Sequence, residues 1–347
     1  MHLHYIQNGR ESKRALENAR KKVADAINAK TKEIYFTSCG SEADNLALKG
    51  IAYANNKKGR HIITTKIEHP AILESCKSLE RQGYEITYLN VDKNGNISLQ
   101  ELERSIRQDT LLISVMFANN EIGTIEPIEE IGKIAKKHGV LFHTDSVQAV
   151  GNVKIDVEKM NIDLLSMSAH KFYGPKGVGA LYVREGIEFE RIQDGGYQEK
   201  NKRAGTENIA GIVGLGRAIE LATRHLDEYN ARLKNLRDYC ILEIEKNFPG
   251  SKLNGARENR LPGNINVSFP NVQAEELLLK LDEVGICASA GSACSSGQST
   301  PSHVLIAIGV EKKMADGTLR ITIGDENTKE DIEFLVEQLK KIIYNNA

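Results

Sequence analysis

Lys171 is the residue around which chemistry can be organised. It stands in Ser168-Ala169-His170-Lys171-Phe172-Tyr173-Gly174-Pro175-Lys176-Gly177, directly after a strand-like run over 162–168. A lysine flanked by serine and histidine at the ligand edge of a sheet suits Schiff-base chemistry, because desolvation lowers the amine's pKa. Alone, a lysine before a Gly-Pro turn reads as a surface residue. Asp145 directly follows another strand-like run, which ends at Thr144, and is followed by Ser146-Val147-Gln148. Side chains alternate along a strand, so His143 and Asp145 point to the same side. An aspartate there can bind Mg²⁺, act as a base or pair with a protonated ring nitrogen, although an isolated one is more often a turn residue. Cys39-Gly40-Ser41-Glu42 follows a third strand and opens a helix. Backbone N–H groups at such a start, with a small residue and a hydroxyl, form an anion cradle, or merely an ordinary N-cap. Together the three match one cofactor. Pyridoxal phosphate needs a lysine amine, a carboxylate for its ring nitrogen and a cradle for its phosphate.

The elements that must hold these residues alternate in type. Strand-like segments cover 34–38, 61–67, 85–91, 110–118, 140–144, 162–168 and 179–183, and helix-like segments separate most of them. Ser98-Leu99-Gln100-Glu101 is a capping box opening a helix toward Arg107, and Gly139 ends a helix that starts near Pro127. The run over 110–118 is almost wholly apolar, as a strand buried on both faces should be. The expectation is an α/β fold, with a mainly parallel seven-stranded sheet flanked by helices. After Thr206 the pattern changes to a helix pair over 207–247. A strand (265–269), a helix (274–284), a strand (317–323) and a closing helix (329–344) follow. The division is therefore a large domain over 1–225 and a smaller C-terminal α+β domain over 226–347.

Composition bounds the rest. The chain has 347 residues, 40% hydrophobic and 27% charged, enough to fill a sizeable core and too apolar for general disorder. Lys plus Arg number 46 against 47 Asp plus Glu, so no overall basic field for nucleic acid exists. No run has the length of a membrane span, and Met1-His2-Leu3-His4-Tyr5 has no apolar leader core, so a cytoplasmic protein is expected. The five cysteines, Cys39, Cys76, Cys240, Cys287 and Cys294, show neither a disulfide framework nor zinc spacing. Cys76 and Cys240 lie within helical patterns and read as packing residues. Cys287 follows the apolar Val284-Gly285-Ile286 and is expected in the core. Cys294 sits among Ala, Gly and Ser, as a thiol on an exposed loop would.

Seven motifs, in order along nearly the whole chain, carry a resemblance to a known family. They are F-T-S-C-G-S-E-A-D-N (36–45), E-H-P-A (68–71), N-N-E-I-G (119–123), H-T-D-S-V-Q (143–148), S-A-H-K-F-Y-G-P-K-G (168–177), R-A-G-T-E-N (203–208) and S-A-G-S-A-C-S-S-G (289–297). The chain resembles the NifS/IscS cysteine desulfurases, in the class V, fold-type I group of pyridoxal-phosphate enzymes. That resemblance implies conversion of L-cysteine to L-alanine, with the sulfur captured as a persulfide on Cys294. It makes Lys171 the cofactor-bearing lysine, Asp145 the partner of the pyridine nitrogen and His69 the catalytic residue stacked on the ring. Gln148 and Asn120 would contact the ring hydroxyl. Gly40, Ser41, Ser168 and His170 would bind the phosphate, with Thr206 supplied by the second subunit of a homodimer. Arg320 would grip the substrate carboxylate, a task suited to a guanidinium fork. Cys39 is assigned no catalytic role.

The implied partner is a sulfur acceptor protein, an iron–sulfur scaffold being the usual one. The helix from Lys329 and the Cys294 loop are its expected docking surfaces. No nucleic acid, membrane or resident metal is implied, beyond a transient iron–sulfur contact at Cys294. Other class V chemistry, such as selenocysteine lyase, or a truncated paralogue that only docks assembly partners, are the competing expectations. Family members open with a strand and an L-D-x-x-A-T-T-like segment, whereas this chain opens inside the approach to the helix near Glu11. The expectation is a fragment, or a start placed downstream of the true one, which bears on cofactor affinity, fold stability and activity.

Overall fold

Seven segments of strand composition pair into one sheet in the computed structural model, which describes residues 7–290 and 302–344. The chain divides into two compact units. In the first, α1 (Gln7–Ala26) leads to β1 (Ile34–Thr37), α2 (Gly40–Ala54), β2 (His61–Thr65), α3 (Pro70–Glu80) and β3 (Glu85–Leu89). Then come α4 (Leu99–Ser105), β4 (Thr110–Ser114), α5 (Ile128–His138), β5 (Leu141–Asp145), β6 (Leu164–Ser168) and β7 (Gly179–Val183). A left-handed turn, α6 (Gln198–Asn201), and the helix α7 (Ile209–Arg224) complete the unit.

The spatial order is β1-β7-β6-β5-β4-β2-β3. Strands β2 to β6 pair in parallel, while β7 runs antiparallel between β6 and β1. Every residue of β2, β4, β6 and β7 is buried, as a sheet covered on both faces requires. Local chemistry sets the helix ends. Ser98 Oγ accepts the Glu101 N–H at 3.2 Å, starting α4, and Gly139 at φ 67° stops α5. Helix α7 lies close on α1 because a Cβ on Gly216 would come within 2.8 Å of the Ala19 Cα.

Two buried acids tie distant parts of this unit together. Glu199 takes both guanidinium nitrogens of Arg20 at 2.7 Å and also accepts the Phe36 N–H at 2.8 Å. Arg20 in turn donates to the Ile34 carbonyl at 2.8 Å and lies over the Phe36 ring. This clamp holds α6, where Glu199, Lys200 and Asn201 have φ of 44°, 56° and 64°. Three consecutive non-glycine residues in that region are costly, and the ion pair opposes the cost. Glu68 follows β2 and accepts from Thr65 Oγ1 at 2.8 Å and from the Met116 N–H at 3.0 Å, joining the ends of β2 and β4. Burial pushes its carboxyl up to about 8 despite those two donors.

The second unit contains α8 (Leu226–Asn247), β8 (Lys252–Leu253), β9 (Asn264–Ser268), α9 (Ala274–Glu283), α10 (His303–Ala307), α11 (Lys312–Ala315), β10 (Thr318–Thr322) and α12 (Lys329–Tyr344). Its antiparallel sheet runs β10-β9-β8, over a core that includes Ile241, Ile244, Val267, Leu319 and Leu335. Three features differ from the sequence reading. Residues 90–97 and 118–125 belong to this unit and not to an unbroken stretch over 1–225. Backbone bonds hold the second of these segments, from Leu261 N to Gly123 O at 2.8 Å and from Ile125 N to Asn259 O at 2.9 Å. The short elements β8, α10 and α11 were too brief to show a period. Cys287 is exposed, whereas its neighbours Ile286 and Ala288 pack on the core, so extended alternation turns the thiol outward. Cys76 and Cys240 are fully buried, as expected.

Two outcomes follow for stability. Arg20→Met leaves Glu199 buried without its cation and is expected to cost about 3–5 kcal/mol, read from the urea midpoint; an unchanged midpoint would mean the clamp contributes nothing. Because the folded-state pKa of Glu68 lies above its ordinary value of 4.5, the fold favours the protonated acid. Stability is then full below pH 4.5 and falls as pH rises toward about 8, where the folded-state group also ionises. Glu68→Gln should remove that fall, so the variant gains on the parent between pH 5 and 8 in urea unfolding. A parent–variant difference independent of pH would show an ionised Glu68 throughout.

Candidate functional site

Parallel pairing brings the carboxyl ends of β2, β5 and β6 to one edge, and β1, antiparallel to β7, ends there too. Such an edge is where open α/β sheets take ligands. After β1, Cys39 is extended and makes no side-chain cap, so the first N–H groups of α2 are left for another acceptor. Gly40 is buried against the neighbouring strand ends. A Cβ there would come within 2.6 Å of Val147 Cγ2 and 3.4 Å of Ser168 Cβ. Ser168 Oγ lies 3.0 Å from His170 Nδ1, and Lys171 follows on the exposed side of a short 3₁₀ turn. Burial, then the charges of Lys171 and Lys176, lower the His170 pKa, which favours its neutral ring.

Asp145 is only 6% exposed, and its Oδ1 accepts the Val147 N–H at 2.9 Å. Burial raises its pKa, while the Val147 bond and the charges of His69 and Lys171 pull the other way. Those charges place His69 and Lys171 each within electrostatic reach of Asp145. His69 caps α3, its Nδ1 accepting the Ala71 N–H at 3.1 Å, which leaves the ring proton to Nε2. Gln148 is half-buried just beyond Asp145.

Beneath Asp145 lies a polar layer that sequence reasoning left without a role. His143 is fully buried, with Nδ1 2.9 Å from Ser114 Oγ and Nε2 3.0 Å from Ser166 Oγ. Burial drives its pKa down to about 3, so the ring is neutral. Asp44 Oδ1 stands 3.9 Å from that Nε2. Burial first, then the charge of Asp145, pushes the Asp44 carboxyl far up. Of the two acids, Asp145 has the backbone donor and the Lys171 charge nearby, so the charge resides there. Asp44 was detectable as a carboxylate inside the apolar stripe of α2, beside buried Ala43, Ala47 and Leu48. Glu42 and Arg203 were quoted in motifs but not paired. Arg203 meets Glu42 at 2.7 and 3.2 Å, and Gly205 N donates to Gln198 Oε1 at 3.0 Å. These bonds hold the segment bearing Thr206, which is itself exposed.

Gly40, Ser41, His69, Asp145, Gln148, Ser168, His170 and Lys171 thus all belong to one edge of the first unit. Pyridoxal phosphate fits this donor set: uncapped N–H groups at the start of α2, a buried carboxyl and a lysine on the exposed side of its turn. Asn120 and Arg320 belong to the second unit and meet there, Arg320 Nη1 donating to the Asn120 carbonyl at 3.1 Å. Cys294 lies outside the described residues.

Comparison with known proteins accords with this geometry. Residues 2–335 match the model of the family described as aminotransferase class-V. A cysteine desulfurase IscS of Clostridium botulinum is 56% identical over 335 residues, covering 96% of this chain and 84% of its own. One from Methanosarcina thermophila is 55% identical, covering 96% and 83%. Among solved structures, a NifS-like protein superposes with a TM-score of 0.92 at 38% identity, covering 98% of this chain and 90% of that one. Motifs, sheet order and relatives agree, and the chain belongs to the aminotransferase class-V family, among its NifS/IscS-type cysteine desulfurases.

Proposed function

We propose that this chain is a pyridoxal-phosphate-dependent cysteine desulfurase that stores sulfur on Cys294 and passes it to an acceptor protein. The observation that carries this reading is the meeting of Gly40, Asp145 and residues 168–171 at one sheet edge, in a chain of this family. When bound, pyridoxal phosphate supplies an electron-accepting ring that labilises bonds at the substrate's α- and β-carbons.

The residues divide the remaining work. Lys171 holds the cofactor through Nζ and moves the α-proton of the substrate. Asp145 offers its carboxylate to the ring nitrogen, and the low-dielectric surroundings strengthen that pairing. His69, oriented by the Ala71 N–H, lies against the ring face. Gln148 and Asn120 take the ring hydroxyl. The first N–H groups of α2, with Ser41, Ser168 and His170, take the phosphate, and Thr206 does so across a homodimer. Its exposure in its own chain, and that of Tyr173 and Tyr197 at 71% and 85%, support a second copy packing on this unit. Arg320 receives the substrate carboxylate.

Sulfur transfer balances without an external oxidant. The Cys294 thiolate attacks the substrate sulfur, the substrate's C–S bond breaks and an S–S bond forms. The carbon left behind gains a proton, so L-cysteine and one thiol yield L-alanine and one persulfide. The outer sulfur then passes to a thiol acceptor, for which an iron–sulfur scaffold is the proposed class. No helix among the described residues is long and apolar enough to cross a membrane, and a cytoplasmic setting is proposed with it.

Lys171→Ala should abolish both the long-wavelength absorption of the bound cofactor and alanine release from cysteine. Turnover at the parent rate would overturn the cofactor assignment. Cys294→Ser should keep that absorption and its response to added cysteine, while alanine release falls by roughly 10³-fold or more, the scale of a lost nucleophile. Persulfide labelling found on Cys287 or Cys39, with activity intact, would remove Cys294 from the mechanism.

A further inference from the structure

Glu121, in the turn between Asn119 and Thr124, is a carboxylate that the proposed reaction does not use. It is 1% exposed, and burying an acid is costly unless its neighbours compensate. Its backbone is held at both ends. Its N–H donates to Asn119 Oδ1 at 2.9 Å, and its carbonyl accepts from the side chains of Asn264 and Asn266 at 3.1 Å each. Asn266 is the cross-strand partner of Arg320 in the β9–β10 pair. The next carbonyl back, that of Asn120, accepts from Arg320 Nη1. Burial raises the Glu121 pKa, while the Ser302 hydrogen bond and the nearby His303 and Arg320 pull the other way, so both of these side chains lie within electrostatic reach of its carboxylate.

Its hydrogen-bond partner is Ser302. That hydroxyl donates to Glu121 Oε2 at 2.5 Å while its oxygen accepts the N–H groups of Val304 and Leu305, capping α10. Ser289 pairs with Arg320 through two backbone bonds, at 3.1 and 2.6 Å. In sequence, Ser289 and Ser302 flank the positions that include Cys294. The two sides of that segment therefore end on Arg320 and on Glu121.

We infer that Glu121 is a positioning residue, which aims the Arg320 guanidinium at the substrate carboxylate and anchors, through Ser302, the chain that follows Cys294. A turn-stiffening role alone would need neither the neighbouring guanidinium nor the serine. The inference rests on the desulfurase reading, because it presumes an amino-acid carboxylate at Arg320.

The test uses holoenzyme, with calorimetric binding of L-alanine beside steady-state turnover of L-cysteine. Glu121→Gln keeps an acceptor for Ser302 but loses the charge. It should weaken alanine binding and raise KM for cysteine about tenfold each, with the melting temperature held. Ser302→Ala leaves the acid facing Arg320, so alanine affinity should stay within about twofold while kcat falls about tenfold. Unchanged alanine affinity in Glu121→Gln overturns the inference. So does an equal loss in both variants that tracks a lowered melting temperature, which marks a purely structural role. A parent that binds alanine but releases none from cysteine refutes the desulfurase reading, and its alanine affinity against that of Glu121→Gln still decides the inference. A parent that binds no alanine overturns both.

Discussion

The missing side chain at Gly40 determines how closely α2 approaches the ends of β5 and β6. Any Cβ at that position would press into Val147 and force the helix away from the sheet edge. With it would go the uncapped N–H groups, whose electrostatic value falls off within the first turn. Asp44 lies one turn further along the same face of α2, so its approach to His143 depends on the same contact. Glu42, on the other side of that turn, reaches Arg203 and thereby the segment of Thr206. One small residue therefore determines the depth of the cradle, the layer beneath Asp145 and the tether of a more distant loop.

That layer divides charge in an orderly way. His143 is neutral between two serine hydroxyls, and burial holds the Asp44 and Glu68 carboxyls toward their protonated forms. Charge remains on groups at the sheet edge, where Asp145 faces His69 and Lys171. A buried network of this kind is strong when its members are satisfied and costly when they are not. Asp44 Oδ1, Thr144 Oγ1 and Ser146 Oγ have no hydrogen-bond partner among the described residues, all close to that edge. Unsatisfied polar atoms gathered beside a ligand edge indicate a unit selected for more than stability.

Much of this was legible in the residues. Strand composition over short apolar runs located all seven strands of the large sheet. Strands β2, β4, β6 and β7 are buried throughout, which leaves little room for other residue types, and the edge strand β3 still carries Ile86-Thr87-Tyr88-Leu89. Gly40, Asp145 and Lys171 announced themselves by falling just after such runs. Asn120 did not reveal its unit. Residues 118–125 belong with the C-terminal part through backbone bonds to residues 259 and 261, and backbone pairing leaves no periodic mark on side-chain types. Cys287 was misplaced for a related reason: an apolar run predicts burial for its average, while extended alternation turns every second residue outward. Glu121 and Glu68 were visible inside motifs, yet Ser302 and Met116, which donate to them, are far away in sequence, and no local pattern encodes such pairs.

The pairing of Arg20 with Glu199 has a consequence for biosynthesis. The two residues are 179 positions apart, and β1 finds its neighbour only in β7, which is also made late. At about 5–20 residues per second, Arg20 leaves the ribosome roughly 10–35 s before its partner exists. During that interval β2 to β6 can assemble among themselves, since each pairs with strands made nearby in time. Helix α1 and strand β1 thus complete their contacts only after β7 and α6 have been made. A nascent chain of this fold carries an unfinished sheet edge and an unpaired guanidinium until Glu199 has been made.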